Sequence, residues 1–217
     1  MVLYDYFRST AAWRVRIALA LKGVSVERRF VHLLRGGGEQ KTPAYLEVNP
    51  AGLVPALALD DGTVLTQSLA IIEYLDTLSP ESKVIPPEPV LAARTRAVAL
   101  AIACDIHPLG NLRIGAYLEN DLGHNAAEIL AWRRHWIAAG FAAIETMIDP
   151  APFCFGAAPT IADICLAPQL FNAARFGVAM DSYPKIRAVG MACSGHPAFC
   201  ETHPDVQPDR QETSPAP

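Results

Sequence analysis

Ser9 and Thr10 are consecutive hydroxyl residues at the point where a short apolar run, residues 1–6, gives way to the helical pattern Ala11-Ala12-Trp13-Arg14-Val15-Arg16-Ile17-Ala18-Leu19. The first turn of a helix leaves backbone N–H donors unpaired and carries partial positive charge, so a hydroxyl there sits where an anion is favoured. A thiolate is such an anion, and a donor that stabilises it raises the reactive fraction of a thiol. Arg8 precedes the helix, and Arg14 and Arg16 occupy its first turns, where the macrodipole disfavours cations. Some anionic partner, internal or bound, should compensate them. Two readings stay open on these residues alone. Either Ser9 and Thr10 open an anion site, or one of them only caps the helix while the arginines pair with carboxylates elsewhere.

Three further groups could serve chemistry. Gln67-Ser68 opens another helix, with Leu69, Ile72 and Leu75 on one face, so a carboxylate could dock on its free amides; a plain cap is the alternative. Asp105, His107, Asn111 and Arg113 surround Pro108, which should kink a long helical pattern. Polar residues at such a kink suggest a cleft wall, although His107 could equally satisfy a backbone carbonyl there. Arg175 stands near the end of a later helix. An arginine offers a planar, permanently charged fork that matches a carboxylate.

The elements that must position these residues follow from periodicity and turn chemistry. The first half reads as strand 1–6, helix to Lys22-Gly23, strand 24–34, a Gly36-Gly37-Gly38 loop, and a short helix 43–48 stopped by Asn49-Pro50. A hairpin of residues 53–59 and 63–66 turns at Asp60-Asp61-Gly62, and the helix from Gln67 follows. Pro55 inside its first strand belongs at an edge, bulge or turn, and a cis Val54-Pro55 bond would reconcile it with the strand that follows. Residues 77–89 are rich in Pro, Ser and Glu, and beyond them the pattern is helical: 90–119 kinked at Pro108, then 125–148 with Trp132 and Trp136 as core or interface residues. Thr160 and Asp163 form a capping box before a helix ending at Gly177, and Tyr183-Pro184 opens one closed by Gly195. The boundaries drawn are a first domain over 1–80, a helical domain over 90–203 and a flexible, proline-rich tail over 204–217.

Composition narrows the classes. The chain has 217 residues, 51% hydrophobic and 18% charged, which suits a globular, helix-rich protein. A formal charge of −4 makes nucleic acid an unexpected partner. No apolar stretch approaches the ~20 residues that span a bilayer, and no secretory signal is expected, so the expectation is a cytoplasmic protein. Cys104, Cys154, Cys165, Cys193 and Cys200 show no metal-type spacing and read as reduced thiols, mostly buried filler, so no metal is expected.

An α/β first half followed by an all-helical half resembles the glutathione transferase fold, a thioredoxin-like N-terminal domain joined to a helical C-terminal domain. The run Phe7-Arg8-Ser9-Thr10-Ala11-Ala12-Trp13-Arg14-Val15-Arg16-Ile17-Ala18-Leu19 resembles the zeta-class signature before W-R-V-R-I-A-L. Asn49-Pro50, Val54-Pro55, the Gln67–Leu75 block and the Thr160–Asp163 box fall in the family's order. Cys104-Asp105-Ile106-His107-Pro108 looks like the bacterial maleylpyruvate isomerase branch of these maleylacetoacetate isomerases. The resemblance implies glutathione as cofactor, a small dicarboxylate substrate and a homodimer. It implies that Ser9, with Thr10, hydrogen-bonds the glutathione sulfur, that the Val54 backbone pairs with the cysteinyl portion, and that Gln67 and Ser68 hold the γ-glutamyl end. Gln40, His107, Asn111 and Arg113 match positions that touch glutathione or line the second pocket, and Arg8 and Arg175 match basic positions assigned to the acidic substrate. One position departs. Where the zeta signature has its cysteine this chain has Ala11, so disulfide exchange is disfavoured and a hydroxyl must do the work. The activity implied is glutathione-dependent cis–trans isomerisation of maleylacetoacetate or maleylpyruvate. The alternatives are a general glutathione transferase and a non-catalytic glutathione-binding protein of the same fold.

Overall fold

A computed structural model describes residues 1–79 and 81–213. The chain divides into two compact units, one formed by Met1–Lys83 with the chain from Pro197 on, the other by Val84–His196.

In the first unit the elements are β1 (Val2–Asp5), α1 (Thr10–Lys22), β2 (Glu27–Phe30), α2 (Pro43–Val48), β3 (Ala56–Ala58), β4 (Val64–Thr66) and α3 (Ser68–Leu78). The sheet order is β2-β1-β3-β4, with β2 parallel to β1 and the other pairs antiparallel. A parallel β1–β2 pair needs a crossover, and α1 provides it. Leu3 lies opposite Arg28 on one side and Leu57 on the other. Leu3, Leu57, Val15, Ala18, Ile71, Ile72 and Leu75 are buried, so α1 and α3 pack against each other and cover the sheet. Gly23 closes α1 at φ +62, where a side chain would be strained. The strands are shorter than periodicity predicts. Of 24–34 only Glu27–Phe30 pairs, and of 53–59 only Ala56–Ala58, because Pro55 has no N–H to give the ladder. The Val54-Pro55 bond is cis.

The tail departs from expectation. Pro197–Cys200 forms a short helix, α9, and Pro204–Val206 and Pro208–Thr213 form 3₁₀ turns that pack on the first unit. Trp13 Nε1 donates to Thr202 Oγ1 (3.0 Å) and Arg16 Nε to the Thr202 carbonyl (3.2 Å), while Gln207 and Asp209 are buried. Polar composition suggested a solvated segment, yet several of its polar groups bond to α1, to the turn before it and to each other. Residues 214–217 of the expected tail lie outside the described residues.

The second unit is helical: α4 (Pro89–Leu100), α5 (Leu112–Asn120), α6 (Ala126–Met147), α7 (Ile161–Phe176) and α8 (Pro184–Ser194). The expected kinked helix over 90–119 is instead interrupted. After α4 the chain runs as a π-helix over Ala101–Ile106 and a 3₁₀ turn over Pro108–Gly110, and Asn111 caps a new helix, accepting from the Arg113 N–H at 3.1 Å. Proline's missing donor and the side-chain cap together favour a break over a bend. Ile106 of this segment packs over Gly140 of α6, where a Cβ would lie 2.2 Å from Ile106 Cδ1 and the isoleucine would have to shift. The capping box of α7 forms as expected: Asp163 Oδ2 accepts from the Thr160 N–H and hydroxyl, both at 2.8 Å, and its Oδ1 accepts from the Cys154 N–H at 2.7 Å. Cys154, Cys165 and Cys193 are buried, but Cys104 and Cys200 are exposed.

Candidate functional site

Ser9 is the N-cap of α1, at φ −70° and ψ 113°, and its Oγ accepts from the Ala12 N–H at 3.2 Å. Its carbonyl takes the Trp13 N–H and its own N–H bonds to Tyr6. A serine hydroxyl that accepts this way keeps its proton to donate. Ser9 is half-buried, whereas Thr10 is only 3% exposed, so of the two hydroxyls Ser9 is the one a ligand can reach. No acidic residue occupies the first turn of α1, which leaves the field of the helix end uncancelled. Arg8, half-buried, stacks its guanidinium 5.3 Å from the Phe7 ring centroid and has no carboxylate partner among the described residues.

The arginines inside α1 follow the structural alternative. Arg16 is buried and uses all three nitrogens: Nη1 to Asp5 Oδ1 (2.7 Å) and the Tyr6 carbonyl, Nη2 to the Phe7 carbonyl (3.0 Å), Nε to Thr202. Asp5, fully buried, also takes Arg28 on Oδ2 and the Tyr6 N–H on Oδ1. Burial holds the Arg16 pKa below its ordinary value, with Asp5 pulling the other way. This network fixes the peptide groups of residues 6 and 7, immediately before Arg8 and Ser9. Arg14 Nη1 donates to Ser68 Oγ at 3.3 Å and so ties α1 to the start of α3.

Two more backbone features belong to the first unit. Among the described residues neither the N–H nor the carbonyl of Val54 has a hydrogen-bond partner, so an extended peptide can pair there as an added strand. The preceding Leu53 carbonyl is fixed by Tyr45 Oη and Asn49 Nδ2, each at 2.7 Å. Burial pushes the Tyr45 hydroxyl pKa up, which keeps it a donor. Gln67 sits at φ +67, a strained conformation for a residue with a side chain, and such strain of about 1–3 kcal/mol clusters at ligand clamps. Its side chain is exposed, while Ser68 beside it is 6% exposed. Gln40 donates from Nε2 to the Leu33 carbonyl (3.3 Å), and its Oε1 is buried without a hydrogen-bond partner among the described residues. The structure thus places Arg8, Ser9, Thr10, Gln40, Val54, Gln67 and Ser68 in one unit.

His107, Asn111, Arg113 and Arg175 belong to the other. His107 closes the π-helical segment through its N–H to Ile102, Asn111 caps α5, and Arg113 is exposed two residues on. Trp132 fixes this ledge by donating from Nε1 to the Leu109 carbonyl at 2.8 Å, a role its apolar spacing did not reveal. Arg175 is exposed and stacks on Phe176, whose ring also meets Arg133. Sequence reading missed Asp5, Arg28 and Asp209. The first two alternate within short strands and carried no motif, and Asp209 lay in the segment read as solvated. Among the described residues no cluster of three or more His, Cys, Asp or Glu is placed to hold a metal, and no helix is long and apolar enough to cross a membrane.

Comparison with known proteins identifies the family. Family models described as the glutathione S-transferase N-terminal and C-terminal domains match residues 8–78 and 126–189. The maleylacetoacetate isomerase of Pseudomonas aeruginosa is 48% identical over 209 residues, 96% of this chain and 98% of that protein. The holo structure of a maleylpyruvate isomerase, a bacterial zeta-class glutathione S-transferase, superposes with a TM-score of 0.91 at 44% identity, over 96% of this chain and 99% of that one. A maleylacetoacetate isomerase from Anaeromyxobacter dehalogenans, with dicarboxyethyl glutathione and citrate bound in its active site, superposes with a TM-score of 0.84 at 39% identity, over 95% of each chain.

Proposed function

This chain belongs to the glutathione S-transferase family, and from that premise we propose that it is a glutathione-dependent cis–trans isomerase of maleylacetoacetate or maleylpyruvate. The observation that carries the reading is Ser9 at the opening of α1, a reachable hydroxyl with its proton to give, on a helix end whose field no acidic residue cancels. Glutathione is the cofactor. Its γ-glutamyl end is held by Gln67 and Ser68, its cysteinyl portion pairs with the Val54 backbone, and Gln40, His107, Asn111 and Arg113 touch it or line the second pocket. Ser9 donates to the sulfur, with Thr10 supporting the turn from inside.

The residues then dictate the chemistry. A free thiol of pKa ~8.5 is mostly protonated at neutral pH, and a hydrogen bond to charge worth about 1.5–3 kcal/mol lowers that pKa by roughly one to two units. The thiolate adds to one alkene carbon of the cis enedioate and the π electrons move to the conjugated ketone oxygen as an enolate. The former double bond is now single and rotates. Collapse of the enolate re-forms the alkene in the trans sense and expels the thiolate, so glutathione is returned and no net proton moves. Arg8 and Arg175 bind the substrate carboxylates or the enolate, as their fixed charge and planar fork suit. The dicarboxyethyl glutathione bound by the Anaeromyxobacter relative supports this path, since addition of a thiol across a four-carbon enedioate leaves such a substituent.

All five cysteines are free, in keeping with a reducing cytoplasm, and the assembly expected is a homodimer, which size-exclusion chromatography tests. The activity is tested by following maleylacetoacetate and maleylpyruvate spectrophotometrically with and without glutathione. Glutathione-dependent conversion of at least one is expected; conversion of neither removes the proposal.

A further inference from the structure

The family models leave residues after 189 unmatched, yet that segment supplies a carboxylate to the approach to Ser9. We propose that Asp209 is a positioning residue: from the far end of the chain it pins the Phe7 peptide and thereby fixes where Arg8 and Ser9 point.

Asp209 Oδ2 accepts from the Phe7 N–H at 2.8 Å, across 202 positions of sequence. Both residues are 4% exposed, so no solvent stands by to replace the bond. A buried N–H left unpaired is costly, and the backbone of a turn moves to avoid it. The other groups of this turn are already held: the Tyr6 N–H by Asp5, the Tyr6 carbonyl by Arg16 and the Ser9 N–H, and the Phe7 carbonyl by Arg16. Asp209 supplies a clamp that comes from outside the β1–α1 unit. It is also an odd choice for mere packing. Its Oδ1 is buried without a hydrogen-bond partner among the described residues, and burial pushes its pKa up against the pull of the Phe7 N–H, with Asp5 adding to the rise and Arg28 opposing it. The segment carrying it is itself latched. Thr202 takes Trp13 and Arg16, the His203 ring meets the Trp13 ring edge-on at 4.9 Å, and Gln207 Nε2 donates to the His203 carbonyl at 2.9 Å. The C-terminal strap therefore grips both α1 and the turn that leads into it.

The inference rests on the isomerase reading, so the wild-type full-length chain is assayed first, and absence of wild-type turnover counts against that reading alone. Amide hydrogen exchange at Phe7 reads the bond in either case: protection lost in Asp209→Ala and kept in Asp209→Asn is expected, and equal protection in both overturns the inference. For catalysis, Asp209→Ala should lower kcat about ten- to a hundredfold while the KM for glutathione stays within a few fold, the pattern of a misplaced reacting group. Asp209→Asn, whose Oδ1 can still accept, should recover most of that loss. Wild-type kcat in Asp209→Ala, or an Asp209→Asn as slow as Asp209→Ala, overturns the assignment. If Asp209→Ala does not fold, Asp209→Glu takes its place: the added methylene displaces the acceptor while keeping the charge, and a wild-type kcat there contradicts the proposal.

Discussion

At the scale of single residues, the account depends on division of labour between neighbours that look alike in sequence. Ser9 and Thr10 are adjacent hydroxyls, but one is half-buried at a helix cap and the other is enclosed. Ser9→Ala should reduce kcat/KM by about ten- to a hundredfold, the worth of one hydrogen bond to charge, and lower stability by about 1 kcal/mol through loss of the cap; steady-state kinetics and thermal melting separate the two effects. The arginines divide in the same way. Arg16 is enclosed by Asp5 and three carbonyls, whereas Arg8 stacks on an aromatic face and Arg175 lies exposed. Arg175→Ala should raise the KM for the dicarboxylate about tenfold or more and spare that for glutathione; the opposite split would move Arg175 to the glutathione side. Ser9 was legible because a hydroxyl followed by apolar helical spacing is a local signal. The fate of each arginine was not, since its partner, Asp5 or Ser68, is brought near only by the fold.

At the scale of elements, two buried carboxylates hold the frames from which the site residues project. Asp5 joins β1, α1 and β2, and Asp5→Ala, which leaves Arg16 buried and uncompensated, should cost about 3–5 kcal/mol in denaturant unfolding. Asp163 joins the cap of α7 to the Cys154 backbone. Burial raises its pKa, against the pull of the N–H groups of Cys154 and Thr160 and the Thr160 hydroxyl. A carboxyl whose folded pKa lies above its unfolded one, ~3.9, binds its proton more tightly when folded, so its contribution to stability is full below that value and is lost as pH rises through the folded pKa. The stability of the wild type relative to Asp163→Asn should therefore grow as pH is lowered from neutrality toward 4; a difference that shrinks would show a depressed pKa instead. Sequence located this cap because Thr160 and Asp163 are three apart, as they must be to bond each other. It did not show the π-helical segment over Ala101–Ile106, whose Ile106 packs over Gly140 on another helix, nor the packing of the C-terminal strap, whose polar residues find partners in α1 and the turn before it.

At the scale of the molecule, the first unit carries the features we propose receive the tripeptide: a helix end, a Val54 backbone without a hydrogen-bond partner among the described residues and a strained, exposed Gln67. The second carries Asn111, Arg113 and Arg175, for which we propose contacts with glutathione or the dicarboxylate. Glutathione at about a hundred times its Kd should stabilise the chain by about 2.7 kcal/mol, roughly 5–10 °C in Tm for a protein of this size, and thermal unfolding with and without the tripeptide reads it. Order of elements and the two-part architecture were legible from periodicity; the lengths of strands and the destination of the C-terminus were settled by contacts far apart in the chain. The most direct test of the whole account is ultraviolet titration of the thiol of bound glutathione in the wild type and in Ser9→Ala. The account predicts ionisation below the free value of ~8.5 in the wild type and a rise of about one to two units in the variant. A bound thiol that titrates alike in both would contradict it.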